Sequence, residues 1–190
     1  MALLIRQPAT LKRWRATLVV AGALCVSTSG MAQEALVLKD ELALKVAFIY
    51  NFALFTEWPA EVGSTLNLCV VGQDAFGRVI DELQGKAVGG RSISLQRKTG
   101  SESLKNCQIT FISAPAITQL PRVLEDARSH PMLTIADSPG AARQGVALNL
   151  TLNRNKISFE ANLLAASAGQ VKLSSKLLRL ATEVTSPPRQ

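Results

Sequence analysis

Residues 45–59, KVAFIYNFALFTEWP, decide the fold. Phe48, Tyr50, Phe52, Phe55 and Trp58 fall within eleven positions of a chain that is only 5% aromatic. Apolar residues recur at helical spacing on one side as Leu42, Val46, Ile49 and Ala53, and on another as Phe48, Phe52 and Phe55. A segment apolar nearly all round is a helix that neighbours bury over most of its surface, with a minority of that surface left for contact with another molecule. Asp40 and Glu41 stand where a cap and a first turn belong, after a loose lead-in over residues 33–38. Pro59 pushes the residue before it out of the helical region. The helix is therefore expected from Asp40 to about Trp58, with a sheet and further helices packed around it.

Upstream of this helix lies a different kind of sequence. Lys12, Arg13 and Arg15 are followed by residues 16–26, ATLVVAGALCV, an uncharged apolar run of eleven. Gly30-Met31-Ala32 is a small-x-small cleavage signal before Gln33. Residues 1–32 read as a secretory signal peptide. The apolar run is shorter than the roughly 20 residues a helix needs to span a bilayer. Leu24, directly before Cys25, is too large for lipoprotein processing. The expected organisation is a signal peptide over residues 1–32, one domain over 33–185 and a frayed tail over 186–190, in a chain of 190 residues.

Processing changes the charge. The whole chain carries +7, but the first 32 residues hold four basic residues and no acids, which leaves 17 basic against 14 acidic, a net of +3. A nucleic-acid partner has little electrostatic support at that balance. Two cysteines remain, Cys69 and Cys107. In an oxidising compartment they can form a disulfide, and closing a loop of that size stabilises by roughly 4 kcal/mol on the chain-entropy model. Two buried free thiols are the other reading.

Downstream, residues 66–72 (LNLCVVG) and 107–113 (CQITFIS) are short apolar runs of the kind that form strands buried on both faces. Residues 73–85 read as a turn and short helix, Gly89-Gly90 as a tight turn, and 92–97 as an alternating strand. Pro121 interrupts the helical pattern of Ile117, Leu120, Val123 and Leu124, so two short pieces or a kink are expected there. Residues 132–136 form a third buried strand, and 146–152 with 156–160 alternate about a turn at 153–155, a hairpin pattern. The chain ends in SSKLLRLATEV, read as a helix capped by Ser174 or Ser175. Strands alternating with helices make this an α/β fold: a single compact domain with a mostly parallel central sheet, an antiparallel edge hairpin, and helices on both faces.

A search for chemistry returns little. The single histidine, His130, lies in a turn beside Pro131, and no nucleophile elbow accompanies it. One histidine and two cysteines give no metal-ligand spacing, and no cofactor motif is present. Val71-Gly72-Gln73-Asp74-x-x-Gly77 follows a strand, and backbone amides there could hold a small anion or nucleotide phosphate, although the dinucleotide glycine pattern is missing. Asp126, Asp137 and Glu160 are scattered acids. Lys172, Lys176 and Arg179 make a basic side near the C-terminus, either a solvated face or a docking surface for an acidic partner or anionic lipid headgroups.

Four segments, in order, resemble the YfiR family of periplasmic regulators. They are the opening helix ending in Glu57-Trp58-Pro59; residues 66–77 with Gly85-Lys86 and Val88-Gly89-Gly90-Arg91; residues 107–113 with 133–137; and residues 157–162 (ISFEAN) with 174–181 (SSKLLRLA). The resemblance covers residues 39–184. It implies a non-enzymatic, cofactor-free periplasmic protein that binds the periplasmic portion of an inner-membrane diguanylate cyclase and holds it inactive. Cyclic di-GMP and biofilm formation fall as a result. It further implies an outer-membrane lipoprotein that sequesters the regulator in some systems, a homodimer, and a stabilising redox pair that would be Cys69 and Cys107 here. The candidate partner-binding residues are Glu160, Lys172, Lys176 and Arg179. A second cysteine pair found in some members has no counterpart over residues 136–152. The competing readings are a sensor of a small anion or nucleotide at residues 72–77, and an exported hydrolase using His130.

Overall fold

The computed structural model describes residues 29–153 and 156–186. The basic stretch and apolar run of the expected signal peptide, the Arg154-Asn155 tip of the hairpin, and the last four residues of the expected tail lie outside them. The chain divides into two units, residues 1–37 and 38–190, and the second carries the sheet.

Eight strands form that sheet, in the order β10-β8-β7-β6-β5-β2-β4-β3. The core strands are β2 (Thr65–Val71), β4 (Arg91–Lys98), β5 (Ile109–Ile112) and β6 (Leu133–Ala136), all parallel to their neighbours among these four. β7 (Leu148–Asn153) continues the parallel order, and β8 (Lys156–Asn162) returns antiparallel to it as the expected hairpin. β3 (Ala87–Val88) is antiparallel to β4 across Gly89-Gly90, whose φ angles of 52° and 85° are those of a type I′ turn. β10 (Glu183–Thr185) pairs parallel to β8 and forms the outer edge. A separate ribbon joins β1 (Thr56–Glu57) to β9 (Lys172–Leu173).

Both faces of the central strands are covered, so their residues are apolar on both sides. On one face Leu66, Leu68, Val70, Ile109, Phe111 and Ile135 meet α1 (Ser29–Leu54), which buries Val46, Ile49, Phe52 and Ala53. A 3-10 turn (Val79–Leu83), α3 (Leu163–Ala168) and α4 (Ser175–Leu178) add Ile80, Leu83, Ala166 and Leu177 to the same cluster. On the other face Cys69, Val71, Ile112 and Ala136 meet α2 (Leu120–Ser129) through Leu120, Val123 and Ala127. Pro121 falls in the first turn of α2, after a 3-10 turn over Ala114–Gln119, so the expected break is a clean junction at a position that needs no backbone N–H. Cys69 and Cys107 are bridged and wholly buried on this second face, with Cα atoms 5.8 Å apart.

Four expectations are corrected. Asp40 does not cap α1; the helix is continuous from Ser29, because the Ala, Glu, Leu and Lys run around Asp40 contains no breaker. The helix ends at Leu54 rather than Trp58, since Thr56 and Glu57 pair with Leu173 and Lys172 and Ser174 N–H donates to Phe55 O. Trp58 instead closes the helix end, its indole Nε1–H donating to Ala53 O at 3.0 Å. The final helix is one turn: Ser174 caps it, as expected, but Thr182 N–H donates to Phe159 O at 2.8 Å and draws the chain into strand β10. The hairpin is therefore internal to the sheet, and β10 is the edge.

Gly72 follows β2 with φ +93°, and an added Cβ would run into Ala116 Cβ and lie 2.8 Å from Ser113 Oγ. Gly72→Ala is expected to lower unfolding free energy by about 2–4 kcal/mol in urea titration, from strain and overpacking together. An effect below ~0.5 kcal/mol would contradict this packing.

Candidate interaction surface

In a doubly wound sheet, ligands enter at the carboxyl ends of strands where the order reverses. Here the order reverses at β2, between β4 and β5. That crevice is closed. Ala116 packs on Gly72, Ser113 Oγ–H donates to Val71 O at 3.0 Å, and Gly72 N–H donates to Lys98 O at 3.0 Å. The turn beyond is filled from within. Asp74 Oδ1 accepts from Phe76 N–H at 2.9 Å and Gly77 N–H at 3.2 Å. Its Oδ2 accepts from Arg97 Nε at 2.6 Å, and Arg97 also donates to Asp81 and to Gly77 O. The amides offered to an anion by the sequence are spent on the protein's own carboxylate.

His130 has a tie rather than a nucleophile. Its Nε2 donates to Cys107 O at 3.2 Å and its Nδ1 meets Ser129 Oγ at 3.0 Å. Ser129 Oγ–H in turn donates to Asp126 O at 2.7 Å. The ring fastens the end of α2 to the segment leading into β5. Among the described residues no three His, Cys, Asp or Glu side chains gather as a metal set, and no helix is long and apolar enough to cross a membrane. An open groove of about 610 Å³ runs along α2, lined by Ile117, Leu120, Pro121, Leu124, Arg128 and Gln144.

The four expected partner-binding residues fall on three elements. Glu160 is half-buried on β8, where Asn149 Nδ2–H donates to its Oε2 at 3.1 Å, and its neighbour across the ladder is Glu183. Lys172 is exposed on the two-stranded ribbon, opposite Glu57. Lys176 and Arg179 are exposed on and after α4, with Leu177 turned inward. Among the described residues none of the four takes part in an ion pair. Only Lys176 and Arg179 share a face, being three apart on a helical turn that Leu180 N–H and Ala181 N–H extend by bonding to Leu177 O and Leu178 O.

Sequence reasoning missed two exposed apolar residues of this C-terminal segment. Leu180 is 70% exposed beside Arg179, and Val184 is exposed on the open edge strand β10. The signal was the surplus of leucines in SSKLLRLATEV, more than one turn of helix can bury on one side.

The amphipathic pairing of hairpin, capped turn and aromatic helix has a counterpart in known sequences: a model of YfiR/HmsC-like proteins matches residues 42–182. The chain belongs to the YfiR/HmsC-like family. Proteins of this family are generally regulatory rather than catalytic, are periplasmic, and are associated with a membrane diguanylate cyclase. The fold also matches the crystal structure of a conserved domain protein from Vibrio cholerae, with a TM-score of 0.51 at 8% identity. That match covers 76% of this chain and 60% of the other, so the chain spans less than two thirds of the chain it matches. At such identity the likeness is one of fold alone.

One ion cluster fixes where α1 sits on the YfiR/HmsC-like sheet. Lys45 Nζ lies 3.0 Å from Glu41 Oε1 and 3.1 Å from Asp137 Oδ2, just past β6. Burial pushes the Lys45 ammonium down, but the Glu41 and Asp137 carboxylates outweigh it and its pKa stands above the ordinary lysine value. A raised folded pKa gives stability that is complete below the unfolded value of about 10.4 and is lost as pH rises through the folded value. Thermal unfolding followed from pH 8 to about 11.5 is expected to show this loss in the native chain and not in Lys45→Met. The same alkaline slope in both proteins would contradict the assignment.

Proposed function

We propose that the protein is a non-enzymatic periplasmic regulator that binds the periplasmic portion of an inner-membrane diguanylate cyclase and holds it inactive. Cyclic di-GMP and biofilm formation fall while it is bound. The observation that carries this reading is the family match over residues 42–182, which takes in strands β1 to β9 and the buried residues of both covering layers. The geometry supports it: the ligand crevice of the fold is filled by Ala116, Ser113 and Asp74, while the C-terminal segment turns charged and apolar side chains outward. In this account residues 1–32 direct export and are removed, residues 33–185 act in the periplasm, and an outer-membrane lipoprotein can sequester the regulator.

The physics requires no chemistry by this protein. A regulator that binds the inactive cyclase better than the active one shifts the population by that difference in affinity and no further. The contact we assign centres on the exposed Lys176, Arg179 and Leu180 at and just after α4. Exposed cations there steer an acidic partner, and the protruding Leu180 supplies an apolar anchor.

The test is genetic and quantitative. Deleting the gene in its own host should raise cellular cyclic di-GMP, and the native chain should restore it. A variant carrying Lys176→Glu, Arg179→Glu and Leu180→Glu should accumulate and fold normally, because all three positions are exposed. It should bind the cyclase at least about 10-fold more weakly and fail to restore repression. Unchanged cyclic di-GMP on deletion would overturn the proposal.

A further inference from the structure

The two faces of the sheet differ at its outer strands. Leu148 and Leu150 of β7 and Phe159 and Ala161 of β8 join the cluster under α1. The residues alternating with them, Asn149, Thr151, Ser158 and Glu160, therefore lie on the opposite face. The apolar cluster under α2 reaches Ala136 of β6 but takes in no residue of β7, β8 or β10. Polar rungs occupy this face instead. The Thr151 and Ser158 hydroxyls are 2.9 Å apart on one rung. On the next, Asn149, Glu160 and Glu183 stand side by side on β7, β8 and β10.

This second rung is acidic and uncompensated. Glu160 and Glu183 are direct neighbours on paired strands, where like charges repel. Glu160 is half-buried, and among the described residues neither carboxylate takes part in an ion pair. Lys156, the one basic residue of these three strands, lies four positions along β8, roughly 13 Å away at the usual strand rise. A second observation concerns Asn149, which is wholly buried. Its amide head stands at the Glu160 carboxylate, Nδ2–H donating to Oε2 at 3.1 Å, while the Oδ1 of the same head has no hydrogen-bond partner. A buried carbonyl oxygen left unpaired is costly. Two carboxylates and an amide oxygen are hard ligands, the kind that calcium takes with water completing its shell. Magnesium demands a stricter octahedron than side chains on three separate strands supply.

We propose that Glu160, Glu183 and the Asn149 Oδ1 bind a calcium ion, which clamps the edge strand β10 onto β8. The ion neutralises the two carboxylates and gives the orphaned amide oxygen a partner. With Glu183 exposed and few protein ligands, the site belongs to the weak class of extracellular modules, with Kd about 10⁻⁴–10⁻³ M. The clamp is independent of the cyclase reading. It fixes the strand that immediately follows the Lys176–Leu180 turn, but it forms without any partner.

The experiment is thermal unfolding of protein purified from cells expressing the full chain, in EDTA, in about 10 mM calcium chloride, and in sodium chloride of matched ionic strength. Calcium should raise the melting temperature by roughly 3–5 °C, and sodium chloride should not. Calorimetric titration with calcium chloride should give a single site. Glu183→Gln, at an exposed position, should fold and should melt in EDTA no lower than the native chain, because one of two like charges is gone. It should lose the calcium shift and bind calcium at least about 10-fold more weakly. No calcium shift, an equal shift in sodium chloride, or a shift retained by Glu183→Gln would overturn the proposal; the second result would mean screening of the carboxylates alone. A lower melting temperature of Glu183→Gln in EDTA would overturn it too, since Glu183 would then have a stabilising partner within the chain. None of these readings involves a cyclase, so failure of the regulator reading leaves them unchanged.

Discussion

The fold depends on covering one face of the sheet with the opening helix, and the contact that does this is aromatic. Phe52 of α1 lies 5.0 Å from Phe159 of β8, edge-on, and Phe48 lies within 6.0 Å of both rings. Edge-to-face pairs of this kind are worth about 0.5–1.5 kcal/mol beyond their buried area. Their position matters more than that increment. They join the start of the domain to its last hairpin, so the parallel strands β2, β5 and β6 are held under α1. The Lys45 bridge to Asp137 repeats the connection one turn earlier.

On the second face, α2 is held at its end by His130 and beneath by the Cys69–Cys107 bridge. This face is where an α/β protein of this order would ordinarily open a crevice, and Gly72 lets Ala116 and Ser113 approach closely enough to fill it. An interior filled in this way leaves the surface as the place for function. The side chains that carry the proposed contact, Lys176, Arg179 and Leu180, sit on a single helical turn fixed by the Ser174 cap and by Thr182 bonding to Phe159.

Much of this was legible in the residues. LNLCVVG and CQITFIS are apolar on both sides because both faces are covered, and Gly89-Gly90 can take the positive φ angles of a tight hairpin. Pro121 marked a true boundary, since proline in a first turn costs no hydrogen bond. What was not legible depended on pairing between distant segments. Thr56 and Glu57 continue a helical pattern, and only Leu173 and Lys172, far along the chain, make them a strand. Glu183–Thr185 likewise look helical until β8 offers an edge. The site was legible in part for the same reason. Lys176 and Arg179 are exposed as their spacing suggests, while Leu180 became a surface residue only because the helix stopped after one turn. The amides at Phe76 and Gly77 looked available because no local pattern shows Asp74 turning back on them.

We propose that this closed fold works by binding a membrane enzyme. The most direct measurement is capture from a detergent extract of the host's membranes by the full-length protein, with and without reductant, followed by identification of what is retained. A diguanylate cyclase is expected in the oxidised sample, and less of it once the Cys69–Cys107 bridge is reduced. Retention of no cyclase under either condition would contradict it.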